Sequence, residues 1–257
     1  MISRLSINFD IKSEGKTINY NSGSLFQGIL MEFIDREYGE ELHLNKLKPY
    51  TQHIEKIGDS YLWIITTLTE RSKKEIIDNI IKKIPKELII KRSDIKIEII
   101  DINVIEINFD KLIQDNYIDS ETNNYITLRF LTPTAFKSNS KYIIYPDIEL
   151  IFKSLINKYN SFADDYEIND EETFDYIVSN TEIIDYNLHS TCFFMEGIKI
   201  PSFMGKIKLK LKGTVTSKNL INLLLDFGQY SGIGIKTAMG MGCIKIENSK
   251  GRLKKNE

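Results

Sequence analysis

The sequence predicts an α+β protein in which one βαββαβ pattern is written twice, once in each half of the chain. Three observations carry that prediction. Each half opens with a strand-like alternation of apolar and polar residues. Each half then shows two separate apolar stripes at helical spacing, with strand-like segments between and after them. The second half closes on an eleven-residue stretch holding two Gly-x-Gly pairs, Gly232-Ile-Gly234 and Gly240-Met-Gly242.

Taken in order, Ile2 to Ile11 places Leu5, Ile7, Phe9 and Ile11 on one face of a half-buried strand. Phe26, Ile29, Leu30, Phe33 and Ile34 follow at the spacing of one helix stripe. Segments 49–57 and 60–69 form a hairpin around Gly58-Asp59, with Tyr61, Trp63 and Ile65 supporting its second strand. Ser72 is expected to cap a helix carrying Ile76, Ile77, Ile80, Ile81 and Ile84, which Pro85 stops. Isoleucine-rich strand signal continues to Phe109. In the second half, Ile126, Leu128 and Phe130 mark a strand ending at Pro133, and a helix after Pro146 carries Ile148, Ile151, Phe152, Leu155, Ile156 and Tyr159. Residues 180–200 and 205–213 supply paired strands. Ser217 is expected to cap a helix with Leu220, Leu223, Leu224 and Phe227, ended by Gly228, and Met241 to Glu247 is the last strand. Two such units in series are tandem ferredoxin-like domains, expected at 1–115 and 121–250 with their join in polar residues 110–124. The topology does not fix a function, although many RNA-recognition modules share it.

Composition narrows the class. A chain of 257 residues with 42% hydrophobic and 27% charged residues is that of a soluble globular protein. Neither a membrane-length apolar run nor a signal-peptide pattern is present, so a cytoplasmic location is expected. Two cysteines, Cys192 and Cys243, fit a reducing compartment and cannot make a zinc site by themselves. A formal charge of −2 argues against a uniformly basic nucleic-acid binder. The charge is uneven, however. Asp164, Asp165, Glu167, Asp170, Glu171, Glu172 and Asp175 form an acidic stretch read as a solvated loop, which leaves the rest of the chain net positive.

Two features point to an anionic partner. The glycine pairs bracket Lys236, and successive glycine amides can form an anion-binding concavity; a tight turn between helix and strand is the plainer reading. In Lys206-Ile-Lys208-Leu-Lys210-Leu-Lys212, alternation puts four lysines on one face. That face is either a solvated edge that discourages aggregation or a phosphate-binding surface.

Candidate chemistry is sparse. His53 and His189 fall on strands, where a structural or exposed role is the default. His43 sits beyond the first helix with Lys46 and Lys48 close behind, where an imidazole would face an anionic substrate. No nucleophile elbow, zinc-protease motif, Walker loop or spaced acidic set for two metal ions is present. One imidazole and one or two cations suffice for RNA cleavage by its own ribose 2′-hydroxyl.

The residues then converge on a family. The chain resembles the CRISPR-associated repeat-processing endoribonucleases, members of the repeat-associated RNA-binding superfamily, almost end to end. The resemblance is carried by the doubled glycine pairs, Leu25-Phe26-Gln27-Gly28-Ile29, Leu42-His43 with Lys48-Pro49-Tyr50-Thr51, and Phe130-Leu-Thr-Pro-Thr-Ala-Phe136-Lys137. It implies a metal-independent endoribonuclease that cuts CRISPR precursor RNA within its repeats and leaves 5′-hydroxyl and 2′,3′-cyclic phosphate ends. His43 takes the position of the general acid/base, and Lys48 that of a lysine steadying the phosphate. Met31 stands where some members carry a tyrosine, so Tyr38 and Tyr50 are the candidate substitutes. RNA contacts are expected from Lys137, Lys206, Lys208, Lys210, Lys212, Gly232, Gly234, Lys236, Gly240 and Gly242. Neither metal nor cofactor is expected. The expected partners are repeat RNA and a multisubunit effector complex, with the protein a monomer or homodimer. The alternative is a non-catalytic subunit that binds guide RNA in such a complex. A small-molecule enzyme of the same fold would need a cofactor motif that the sequence lacks.

Overall fold

The alternating residues of the first half build a five-stranded antiparallel sheet with order β2-β3-β1-β5-β4, seen in a computed structural model that describes residues 1–118, 123–163 and 167–247. Its strands are β1 (Ile2–Ile11), β2 (Tyr50–Ile57), β3 (Ser60–Thr67), β4 (Glu87–Ile90) and β5 (Ile95–Ile107). Without β4 this is the ferredoxin-like order, in which β1 is flanked by the third and last strands of the unit. Leu5, Ile7 and Phe9 of β1 face the helices Gly23–Phe33 and 70–83, where Phe26 packs edge-on to Trp63 at 5.0 Å and Phe9 stacks on Tyr61 at 5.6 Å. Ser72 is not the cap of the second helix. Thr69 is, and the two exchange bonds: each hydroxyl accepts the other's backbone N–H at 3.1 Å. Ile81 lies outside the buried stripe and is exposed. The isoleucine-rich run divides into the β4–β5 hairpin, and an additional helix, Arg36–Leu44, follows the first.

The second sheet has order β11-β6-β10-β9, from β6 (Tyr125–Thr134), β9 (Thr181–Met195), β10 (Ile198–Leu211) and β11 (Ile244–Glu247). Leu128, Phe130, Phe203 and Ile207 meet the helices Ile148–Phe162 and Val215–Ser231 over a continuous core, with Phe130 edge-on to Phe203 at 4.8 Å and Tyr159 to Phe227 at 5.4 Å. The chain reverses at Glu196-Gly197, both with positive φ, rather than between 200 and 205. Gly205 instead sits in a register shift within β10, where Asn187 O would lie 2.1 Å from any Cβ. The last helix is capped by Thr214, with Ser217 three residues in, and it runs through Gly228 to Ser231. Gly228 is a packing glycine: a Cβ there would meet Leu155 at 2.8 Å and Ile244 at 2.9 Å.

Part of the acidic stretch is helical. Asp170 caps the helix Glu171–Ser179 by accepting N–H bonds from Glu172 and Thr173, and Glu171 and Glu172 occupy its first turn, where the helix dipole favours them. Asp164 and Asp165 lie outside the described residues. The polar join begins with the helix Phe109–Ile113, continued by Gln114–Ile118. Residues 119–122 of the join, and 121, 122 and 248–250 of the expected second domain, also lie outside them. A small hairpin, β7 (Phe136–Ser138) with β8 (Lys141–Ile143), follows β6. No helix among the described residues is long and apolar enough to cross a membrane.

Candidate functional site

His43 lies in the last turn of Arg36–Leu44, exposed to solvent. That helix buries Tyr38, Gly39 and Leu42. Gly39 lets it close on the first helix, since a Cβ there would stand 3.1 Å from Met31 Cε. The end of the helix is tied down by Lys48. Its ammonium donates to the carbonyls of Leu42 and Asn45, and to that of His43 at 3.4 Å. A lysine over the last carbonyls also complements the helix dipole. Burial, and then the charge of Lys236, hold the Lys48 pKa below its ordinary value. Lys236 is therefore its electrostatic neighbour although 188 positions separate them. The ammonium expected to steady a phosphate is here engaged by backbone carbonyls.

Tyr38 and Tyr50 are core side chains, 5% and 2% exposed. Burial pushes both phenols up to about 12. Tyr38 lies under the Arg71 guanidinium at 5.1 Å, and Arg71 bonds Glu41 at 2.9 Å. The Tyr50 hydroxyl is bonded to Gln27. Burial raises the pKa of both phenols and the Tyr50 hydroxyl is engaged by Gln27, which disfavours either as the substitute for a tyrosine at position 31.

The glycine loop is a joint between the two sheets. Gly232, Gly234, Gly240 and Gly242 all have positive φ, as Gly-rich turns require. Their amides are not bare. Gly232 N–H donates to Gly228 O at 2.9 Å, Gly234 N–H to Ser154 Oγ at 2.9 Å, Gly240 N–H to Thr237 O at 3.4 Å, and Gly242 N–H to Pro133 O at 3.0 Å. Gly232, Gly240 and Gly242 are buried. The expected amide concavity for an anion is thus absent here, because those four donors are spent inside the protein. The glycines instead permit close approach: a Cβ on Gly242 would sit 2.0 Å from Ile233 O, and one on Gly23 of the first helix 2.0 Å from Met239 O.

Several buried groups hold this joint. Lys158, enclosed on the helix Ile148–Phe162, bonds Ser231 O and Gly232 O, each at 2.9 Å, and Thr237 Oγ1 at 3.3 Å. Burial lowers its pKa to about 7, and the Nζ group donates to all three of these oxygens. From the first sheet, Gln52 Nε2 donates to Gly23 O and Ala238 O at 3.0 Å each, while its Oε1 accepts from Trp63 Nε1 at 2.7 Å. Arg4 reaches Gln229 O at 2.7 Å and covers the Tyr230 ring at 4.6 Å. His53 Nε2 lies 3.3 Å from Cys243 Sγ and 2.9 Å from Glu55 Oε1. Sequence reasoning gave His53 a structural or exposed role and missed Lys158, Gln52 and Arg4. Lys158 had a signal, since it falls three residues after Leu155 and beside Tyr159, on the stripe that should be apolar.

Exposed cations remain for an anionic ligand. Lys236 is exposed, in the left-handed conformation at φ 58°. Lys137 is exposed on β7, two residues beyond Ala135, whose carbonyl accepts the Ile235 N–H of the loop at 3.0 Å. Lys206, Lys208 and Lys210 alternate with buried Ile207, Leu209 and Leu211 on the sheet face away from the helices, with Arg129 opposite Lys206 and Lys245 opposite Arg129. Part of that charge is already balanced. Lys212 pairs with Glu182, Glu247 bonds Arg129 at 2.8 Å and approaches Lys206 at 3.9 Å, and Lys208 lies 5.4 Å over Tyr125. The structure so sets Lys48 on the backbone carbonyls that end the His43 helix and within electrostatic reach of Lys236, while the β10 lysines lie on the sheet face away from the helices.

A family model described as CRISPR-associated endoribonuclease Cas6 matches residues 128–244. A Streptococcus thermophilus protein named CRISPR-associated endoribonuclease Cas6 is 34% identical over 227 residues, 88% of this chain and 91% of that one. A Mycobacterium tuberculosis H37Rv protein of the same name is 28% identical over 248 residues, 96% of this chain and 78% of its own. Among solved structures, a Cas6 product complex superimposes with a TM-score of 0.80 at 17% identity, covering 96% of this chain and 100% of that one. A Thermus thermophilus Cas6 gives 0.71 at 18%, covering 96% and 98%.

Proposed function

The chain belongs to the Cas6 family of CRISPR-associated endoribonucleases, and from that premise we propose how its own residues cut repeat RNA. The ribose 2′-oxygen attacks the adjacent phosphorus, a P–O bond forms to it, and the bond to the 5′-oxygen breaks. One product ends in a 2′,3′-cyclic phosphate and the other in a 5′-hydroxyl. A proton must leave the 2′-hydroxyl and another must reach the departing 5′-oxygen. His43 carries one of these transfers, a contribution of about 10² to 10⁴ in rate. Lys48 acts on the reaction through His43, by fixing the end of the helix that presents it. Lys236 supplies positive charge beside that helix end, where negative charge develops on the phosphate. The wider surface of Lys137, Lys206, Lys208 and Lys210 neutralises the RNA backbone and releases its counterions. No step draws on a metal ion.

The observation that carries this reading is an exposed imidazole, held on a helix end capped by one lysine, with a second lysine delivered beside it from the far end of the chain. A subunit that only binds guide RNA has no need of that arrangement. The test is cleavage of the host's own repeat RNA in excess EDTA. Cutting should persist, fail when the ribose before the scissile bond is 2′-deoxy, and fall at least a hundredfold in His43→Ala, roughly the lower bound for losing an acid–base group. Binding should be nearly intact in that variant. Undiminished cutting by His43→Ala would refute the assignment.

A further inference from the structure

We propose that His53, Glu55 and Cys243 form a binding site for a zinc-class divalent cation that clamps the two sheets together, remote in role from RNA cleavage. The three donor atoms lie within 4.8 Å of one another and come from both halves of the molecule: His53 and Glu55 from one face of the edge strand β2, Cys243 from the segment entering β11. His53 and Cys243 are buried, and Glu55 is partly so. A single ring nitrogen, His53 Nε2, faces both other donors, 2.9 Å from Glu55 Oε1 and 3.3 Å from Cys243 Sγ. One proton on that nitrogen cannot point at two acceptors in different directions, whereas one cation can serve all three.

The spacing suits the ion. With zinc bonds of about 2.0–2.1 Å to nitrogen, 2.0–2.2 Å to oxygen and 2.3 Å to sulfur, the two separations subtend about 90° and about 100°, close to a four-coordinate site. The Glu55 side chain, 35% exposed, is the ligand with room to swing inward and close the third edge. The other two are fixed. Cys243 N–H donates to Thr132 Oγ1 at 2.9 Å, and His53 is held in the β2–β3 ladder opposite Ile64. A small cavity lined by His53, Cys243, Gln229 and Tyr230, with space for about one water, offers the fourth position. A thiolate and a carboxylate neutralise a divalent cation, and imidazole with thiolate selects zinc over the oxygen-preferring magnesium and calcium.

Cobalt(II) is the probe, because thiolate ligation gives it a near-ultraviolet charge-transfer band and tetrahedral geometry gives it visible bands. The full-length protein, stripped with EDTA and exchanged into chelator-free buffer, is titrated with cobalt chloride and then zinc chloride. One equivalent of cobalt should produce both bands, and zinc should abolish them. Cys243→Ser should remove the near-ultraviolet band, His53→Gln should weaken binding, and Cys192→Ser should change neither. Because Cys243→Ser could fail to fold, the wild-type protein carries a second readout. Zinc at a hundredfold excess over its dissociation constant should raise the melting temperature by about 5–10 °C. Absence of a saturable cobalt band in the wild type, or a band that follows Cys192, overturns the site. RNA cleavage in EDTA is read separately, so the two assignments fail independently.

Discussion

Two buried bases should tilt the stability of this protein in opposite directions with pH. Burial alone lowers the pKa of Lys158 from 10.5 to about 7. The unfolded chain therefore binds more protons between those values, and unfolding free energy rises with pH there. For His53, burial disfavours the charge, but Cys243 and Glu55 outweigh it and raise the pKa from 6.5 to about 9. The folded state then binds more protons, so the stabilisation is complete below pH 6.5 and is lost as pH rises through 9. The windows overlap from about pH 7 to pH 9, where each slope approaches about 1.4 kcal/mol per unit. Over those two units the contributions should nearly cancel. Urea unfolding in EDTA at half-unit steps should find the wild type close to flat. Lys158→Met should lose about 2–3 kcal/mol from pH 7 to 9, and His53→Gln should gain a similar amount. Comparing slopes within each variant removes the constant cost of the lost hydrogen bonds. Three parallel profiles would refute the reasoning.

Other substitutions separate fold from function. Gly242→Ala forces a Cβ to within 2.0 Å of Ile233 O at φ +70° and should cost several kcal/mol, read as a large drop in melting temperature. Gly28→Ala meets open space inside a helix and should gain about 1 kcal/mol, a rise of about 2–4 °C. Tyr50→Phe and Tyr38→Phe should leave the single-turnover cleavage rate within about twofold; a loss of about 10² or more would restore a phenol to the proton-transfer role. Lys208→Ala should shallow the dependence of log affinity on log salt by about 0.7 for a single-stranded contact, and an unchanged slope would move the RNA off the β10 face.

The elements with strict periodicity were legible in the sequence, because a single physical signal decides them. β1, β6 and the helices around Phe26 and Phe152 follow from which side of each element is apolar. Boundaries set by hydrogen-bond reciprocity were harder. Ser72 and Ser217 look like caps in isolation, but each is the third residue of a motif whose cap is the threonine three places earlier. The β9–β10 turn was hidden because Pro201 and Gly205 punctuate the sequence more strongly than Glu196-Gly197, where the chain reverses. The site was legible only in part. His43 stood out by its lysine neighbours, whereas Lys158, Gln52 and the His53–Cys243 contact depend on partners 79, 186 and 190 positions away. No local pattern encodes such pairs.

The glycine loop illustrates how one sequence signal supports two physical roles. Four glycines around a lysine suggest amides bared for an anion. The folded chain spends those amides on Gly228, Ser154, Thr237 and Pro133, and it uses the missing side chains for backbone contact with the first helix and with Ala135 just past β6. What the loop offers to solvent is Lys236, the one residue of the stretch that is both charged and exposed. Lysine pays strain to adopt φ 58°, a cost of order 1 kcal/mol that glycine would avoid. A glycine there would serve a purely structural joint better. Lys236, within electrostatic reach of the lysine that caps the His43 helix, is the loop's link to the proposed RNA chemistry. On the proposed mechanism the loop acts on the phosphate by where it places one side chain, and its glycines set that place by letting two sheets meet.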